Sequence, residues 1–131
     1  MTRENFDAFC ARLPHATHVV QWGGSSVWKV GGKVFAIGGW SNEHQFGVTF
    51  KCSSLSFAIL KELSGLRPAP YLASRGMSWM QRTDDSSLSD LKLEDYHLRE
   101  SHAFVVAKLS KKTSRELGLL RSFPQKRQII N

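Results

Sequence analysis

The dipeptide Gly31-Gly32 constrains this chain more than any other feature. It separates SSVWKV from KVFAIGGW, two runs rich in β-branched and aromatic residues. A two-residue connection with positive φ at both positions is the tight turn that joins antiparallel strands, and a glycine pair adopts that backbone without steric cost. The spacing therefore predicts a β-hairpin and an antiparallel sheet to hold it. A third strand follows, because Phe46, Val48 and Phe50 alternate with Gly47, Thr49 and Lys51, the period of a strand with one buried face.

Helices flank these strands. Phe6, Phe9, Cys10 and Leu13 recur at the spacing of one helical face, with Thr2 as N-cap, Glu4 in the first turn and Pro14 as a stop. His15 to Ser25 has no clear period and contains Gly23-Gly24, which reads as a loop crossing to the sheet. After the capping candidates Ser53 and Ser54, Leu55, Ile59 and Leu63 recur every four residues beside Ala58, giving a second helix with Gly65 beyond its end. The run RPAPYLASRGMSWMQRTD then carries two prolines, a turn at Arg75-Gly76 and a better strand from Trp79 to Thr83, a second and less regular hairpin. From Asp90 a third helix places Leu93, Tyr96, Ala103, Phe104 and Ala107 on one side. The order is α-β-β-β-α-β-β-α, which predicts a two-layer α+β domain with an antiparallel sheet and helices on one face.

At 131 residues the chain has the size of one domain. Residues 1–110 form the expected domain and 111–131 a basic tail with no periodicity in SFPQKRQIIN. No apolar run approaches the length of a membrane span, and MTRENFDAFC is not a secretory leader, so the cytoplasm is the expected compartment. Cys10 and Cys52 form no CxxC pair and sit among apolar neighbours, as buried free thiols do. The formal charge of +7 is unevenly spread: residues 1–107 carry 11 Lys and Arg against 10 Asp and Glu, and the remainder carries seven against one. The body is nearly neutral and the C-terminal end is basic.

Catalytic and metal signatures are weak. His15 and His18 form an HxxH without a nearby carboxylate or cysteine to complete a ligand set, and His97 and His102 lie about 140° apart on an ideal helix. The double glycines at 23, 31 and 38 fit neither GxGxxG nor a phosphate-binding P-loop. Asp84-Asp85 falls in a serine-rich loop, while Asp90, Glu94 and Asp95 cluster where a helix start favours carboxylates. No enzyme, metal or other cofactor is expected, and an enzymatic or small-molecule reading would require a deep pocket, for example around Arg75 and His44.

Several stretches together carry a family resemblance. Trp22-Gly23 precedes VWKVGGKVFAI; FGVTFKC leads into a helix; PAPYLASRGMSWM follows; and a last helix surrounds Ser101 to Val106. In this order and spacing the chain resembles the MmcQ/YjbR family over roughly residues 2–112, and its element order is similar to the secretion-chaperone-like fold. His102 departs from the aromatic residue the family often has after the serine, and the basic tail after Lys112 looks like an addition. The resemblance implies a bacterial protein with a proposed DNA-binding role through two hairpin wings. Wing one is then residues 27–37, with Lys29 and Lys33 flanking its tip, and wing two is residues 67–82, with Arg75-Gly76 at its tip.

On that basis Lys29, Lys33, Lys51, Arg67, Arg75 and Arg82 are candidates for phosphate contacts, joined by Lys111, Lys112 and Arg115 of the tail. The same residues are what the solvated face of any sheet carries. Trp22, Trp28, Trp40, Trp79 and Tyr71 could stack on exposed bases, Trp79 or Trp40 best, although a small sheet also needs large apolar residues as cover. Two partner classes follow: DNA, met by the hairpins and tail, or a partner peptide or protein on the sheet face.

Overall fold

The computed structural model of the chain describes residues 1–39, 45–69, 78–84 and 86–118. Helix α1 (Arg3–Ala11) starts where Thr2 Oγ1 accepts the Asn5 N–H, and it buries Phe6, Phe9 and Cys10 as the sequence predicts. Strands β2 (Ser25–Val30) and β3 (Lys33–Gly38) form the expected hairpin, with φ of 58° at Gly31 and 80° at Gly32. Strand β4 (Val48–Lys51) pairs with β3, and β5 (Leu66–Pro68) pairs with β6 (Trp79–Arg82). All these pairings are antiparallel, so the fold class read from the sequence is the observed one.

Three local expectations are corrected. Residues 16–21, expected as a loop, form strand β1 (Ala16–Gln21), which pairs with β2 and makes the sheet six-stranded in the order β1-β2-β3-β4-β6-β5. As an edge strand exposed on most of its length it has no apolar alternation to betray it. Helix α2 (Ser54–Leu60) forms where Ser53 caps it, yet Leu55, Ile59 and Leu63 are 72%, 58% and 39% exposed. The helix is too short to lay two faces on the sheet, and Leu60 with the half-buried Phe57 makes the contact instead.

The third correction concerns the last long helix. It begins as α3 (Asp90–Lys92), passes through a π-helical stretch Leu93–Leu98 and continues as α4 (Arg99–Ala107). The wider π turn advances the register relative to a 3.6-residue period. The inward face becomes Leu93, His97, Leu98, Ser101, His102 and Val105, whereas Tyr96, Ala103 and Ala107 face outward. His97 and His102 thereby become core residues, packed against Phe50 and Phe35 respectively. Ser110 then caps a short helix α5 (Lys111–Glu116), the first part of the expected tail. It folds back on the hairpin: a Cβ at Gly31 would stand 2.8 Å from Leu109 and 3.0 Å from Thr113, so a side chain there would meet a strained φ and have to displace both.

One core lies between the sheet and the helices, built from Phe6, Phe9, Trp28, Phe35, Phe50, Met80, Leu93 and Leu98 among others. Strand alternation places Val27, Ile37, Thr49 and Gln81 in a cross-strand row on the opposite face. That row is also buried. No helix among the described residues is long and apolar enough to cross a membrane.

Candidate nucleic-acid interface

The candidate cations separate into two groups. Arg82, at the end of β6, is 4% exposed and engaged in structure. Its Nη2 lies 2.8 Å from Asp90 Oδ1 and donates to the Leu88 carbonyl at 2.8 Å, and its Nη1 is 3.8 Å from Asp84. The Met1 ammonium completes the network, 3.0 Å from Asp84 and 3.3 Å from Asp90. Burial works against the Asp90 carboxylate, but the hydrogen bond and charge of Arg82 and the chain's amino group outweigh it and hold the carboxyl below its ordinary range. On β5, Arg67 donates Nε and Nη2 to Gln81 Oε1 at 2.8 and 2.6 Å. Arg82 is thereby sealed in the structure, and the half-buried Arg67 is tied to a neutral partner.

The second group converges. Lys51 ends β4 and pairs across the sheet with Trp79, the first residue of β6. Beside them, Lys33 and Val34 of β3 meet Val105 and Lys108 from the end of α4 around a cavity of about 320 Å³. A second cavity of about 400 Å³ adjoins across Lys51 and Lys108 and is lined further by Cys52, Ser53, Ser54, Ser78 and Phe104. None of the three lysines has an ion-pair partner among the described residues. Burial, and then the charge of Lys108, pull the Lys51 ammonium below its usual range; a bound anion would relieve that strain.

Ser101 fixes this corner. Its Oγ accepts the Lys51 backbone N–H at 2.9 Å and donates to the Phe35 carbonyl at 2.6 Å, tying α4 to β3 and β4. Trp79 is 5% exposed, so it offers the groove an edge and not a stacking face, and its buried indole N–H has no hydrogen-bond partner among the described residues. Lys29 sits on β2, half-buried, outside both cavities. Lys111, Lys112 and Arg115 are exposed on α5, whose Thr113 packs beside the Gly31 turn. Sequence patterns do not mark Lys108 as a groove residue, nor Ser53, Ser54, Ser78 and Phe104. Only the fold brings the end of α4 beside β4. Arg75, Trp40, Tyr71, His44 and Asp85 lie outside the described residues.

A serine, a histidine and a carboxylate do meet elsewhere, without the geometry of a nucleophile. Ser26 Oγ donates to Asp7 Oδ1 at 2.5 Å, Trp28 Nε1 donates to the same oxygen at 2.8 Å, and His18 Nε2 lies 2.6 Å from Ser26 Oγ. With the hydroxyl proton directed at Asp7, His18 is placed to donate to the serine, not to take its proton. Ser26 is fully buried. The cluster braces α1 against β1 and β2. Cys10 and Cys52 are buried free thiols; burial, reinforced by Asp7 and Glu94, raises the first, and burial with Glu100 pushes the second up to about 11.

A two-layer α+β domain with a groove at one end of its sheet, lined by lysines that have no ion-pair partner among the described residues, is the class that fold and site define. Within it, the chain belongs to the YjbR family, whose model matches residues 11–104. The solved structure of Deinococcus radiodurans protein DR2400, assigned to the DUF419 domain, is similar with a TM-score of 0.74 at 22% identity, over 90% of this chain and 88% of that one. No curated protein matches the sequence.

Proposed function

We propose that this YjbR-family protein is a non-enzymatic nucleic-acid-binding module whose phosphate contacts come from Lys33, Lys51 and Lys108, extended by Lys111, Lys112 and Arg115. One observation carries the reading: three lysines from three different elements converge on one groove without an ion-pair partner among the described residues. Phosphate neutralisation needs clustered, unpaired cations. The reading agrees with the DNA role that the family resemblance implied but does not use Arg82 of wing two, which is held by Asp84, Asp90 and the Leu88 carbonyl. The tail beyond Gly118 adds charge without being required.

The test is DNA binding measured across salt concentration. Each phosphate met contributes about 0.7 to 0.9 to the log-log slope. A chain ended after Gly118 is expected to keep binding, and the triple variant Lys33→Ala, Lys51→Ala, Lys108→Ala to lose about tenfold or more at low salt. Equal binding by that variant would remove the groove from the reading. A second reading, a protein-interaction module, is favoured by the exposed stripe of Leu55, Ile59 and Leu63 on and just beyond α2. It predicts a partner whose capture Ile59→Lys abolishes and the lysine variants leave intact.

A further inference from the structure

We infer that the groove takes single-stranded nucleic acid, with one phosphodiester on Lys51 and Lys108 and the nucleosides on either side of it entering the two adjoining cavities. The inference rests on the nucleic-acid reading above and names the form of the ligand. Lys51 and Lys108 line both cavities, so the positive charge lies at the boundary between two recesses and not on a convex ridge. That alternation of recess, cation pair and recess matches the alternation of base, phosphate and base along an unpaired strand.

The volumes agree with it. Recesses of about 400 and 320 Å³ are at the size of small-ligand pockets, each sufficient to accept a nucleoside. A duplex keeps its bases stacked and paired and offers only their groove edges and its phosphates, whereas an unpaired strand can splay whole bases into recesses.

The linings differ in a way that assigns roles. The larger recess has the half-buried ring of Phe104 as its stacking surface and the hydroxyls of Ser53, Ser54 and Ser78 for a base edge or a sugar. The smaller has Val34, Val105 and the edge of Trp79 as an apolar wall, and Lys33 at its rim for the next phosphate. Trp79 brings a buried indole N–H with no hydrogen-bond partner among the described residues, a donor that a bound base could use after a small side-chain shift. Glu100 is the carboxylate whose field reaches the larger recess, through its effect on Cys52; it forms no ion pair with either lysine.

The experiment is fluorescence anisotropy of the full chain with a labelled oligothymidine and with the same oligonucleotide annealed to its complement, at several salt concentrations. The single strand is expected to bind about tenfold more tightly than the duplex. Phe104→Leu keeps the apolar volume and removes the ring; it is expected to weaken single-strand binding about tenfold and to leave duplex binding unchanged, with its thermal melt confirming that it folds. Lys51→Met should lower the single-strand salt slope by about 0.7. Duplex binding as tight as single-strand binding, or a Phe104→Leu variant equal to the parent, overturns the inference while leaving the nucleic-acid reading intact. An oligoglutamate peptide that competes as well as an oligothymidine of equal charge also overturns it. Binding to neither nucleic acid at low salt overturns both readings together.

Discussion

Strand β6 joins two regions that treat positive charge in opposite ways. At its last residue, Arg82 is buried and held by Asp84, Asp90 and the Leu88 carbonyl. At its first residue, Trp79 adjoins Lys51, which with Lys33 and Lys108 faces open cavities without an ion-pair partner among the described residues. The first arrangement is a structural joint, since a buried cation persists only where carboxylates and carbonyls replace its water. The second leaves charge unspent, which stability alone does not require. A count of bases along the chain treats these residues alike, and burial with partnering tells them apart.

The largest effect that can break this comparison is at the sealed end. Arg82→Ala should cost about 3 kcal/mol in urea unfolding, the low end for removing one member of a buried pair because Asp90 is half-exposed. A loss within error would show that the joint is not structural. Ser101→Ala, at the open end, strands the Lys51 backbone N–H and should cost about 2 kcal/mol. It should also weaken oligonucleotide binding by loosening the lysine it positions.

Acid should attack the core in two steps. Burial holds His97 and His102 below their ordinary value of 6.5, so the unfolded chain binds the protons first. Their contribution is fully present above pH 6.5 and is lost as pH falls from there toward the folded values. Asp90 is held below its ordinary 3.8 by Arg82 and the amino terminus; its contribution is present above pH 3.8 and disappears as pH falls further. Urea midpoints against pH should therefore decline in two windows, and His97→Phe should flatten the upper one. The smallest effect belongs to the open end, where Lys108→Met should change stability by no more than about 0.5 kcal/mol. A larger loss would mean that Lys108 has a structural role after all.

Much of the frame is legible in the amino-acid sequence. The Gly31-Gly32 turn needs positive φ at two consecutive residues, which few pairs other than glycines supply, and Thr2 caps a helix whose apolar face is already spaced for burial. Strand β1 escapes the pattern although Thr17, Val19 and Val20 between Pro14 and Gly23-Gly24 are a β-forming run. Its residues do not alternate as in a half-buried strand, because most of it is exposed. Periodicity misplaces the face of α2 because it marks where apolar residues gather, not which side the sheet will meet. An ideal helix puts His97 and His102 on different faces, and the π-helical stretch turns both inward.

The sequence by itself determined the hairpin, the antiparallel α+β class and the family, because turn stereochemistry and side-chain period act over a few neighbouring residues. Which cations are spent and which remain available was decided only by the tertiary structure. Lys33, Lys51 and Lys108 lie far apart along the chain, and an electrostatic site depends on distance in space and on the carboxylates that reach it. Both are set only when α4 closes over the end of the sheet.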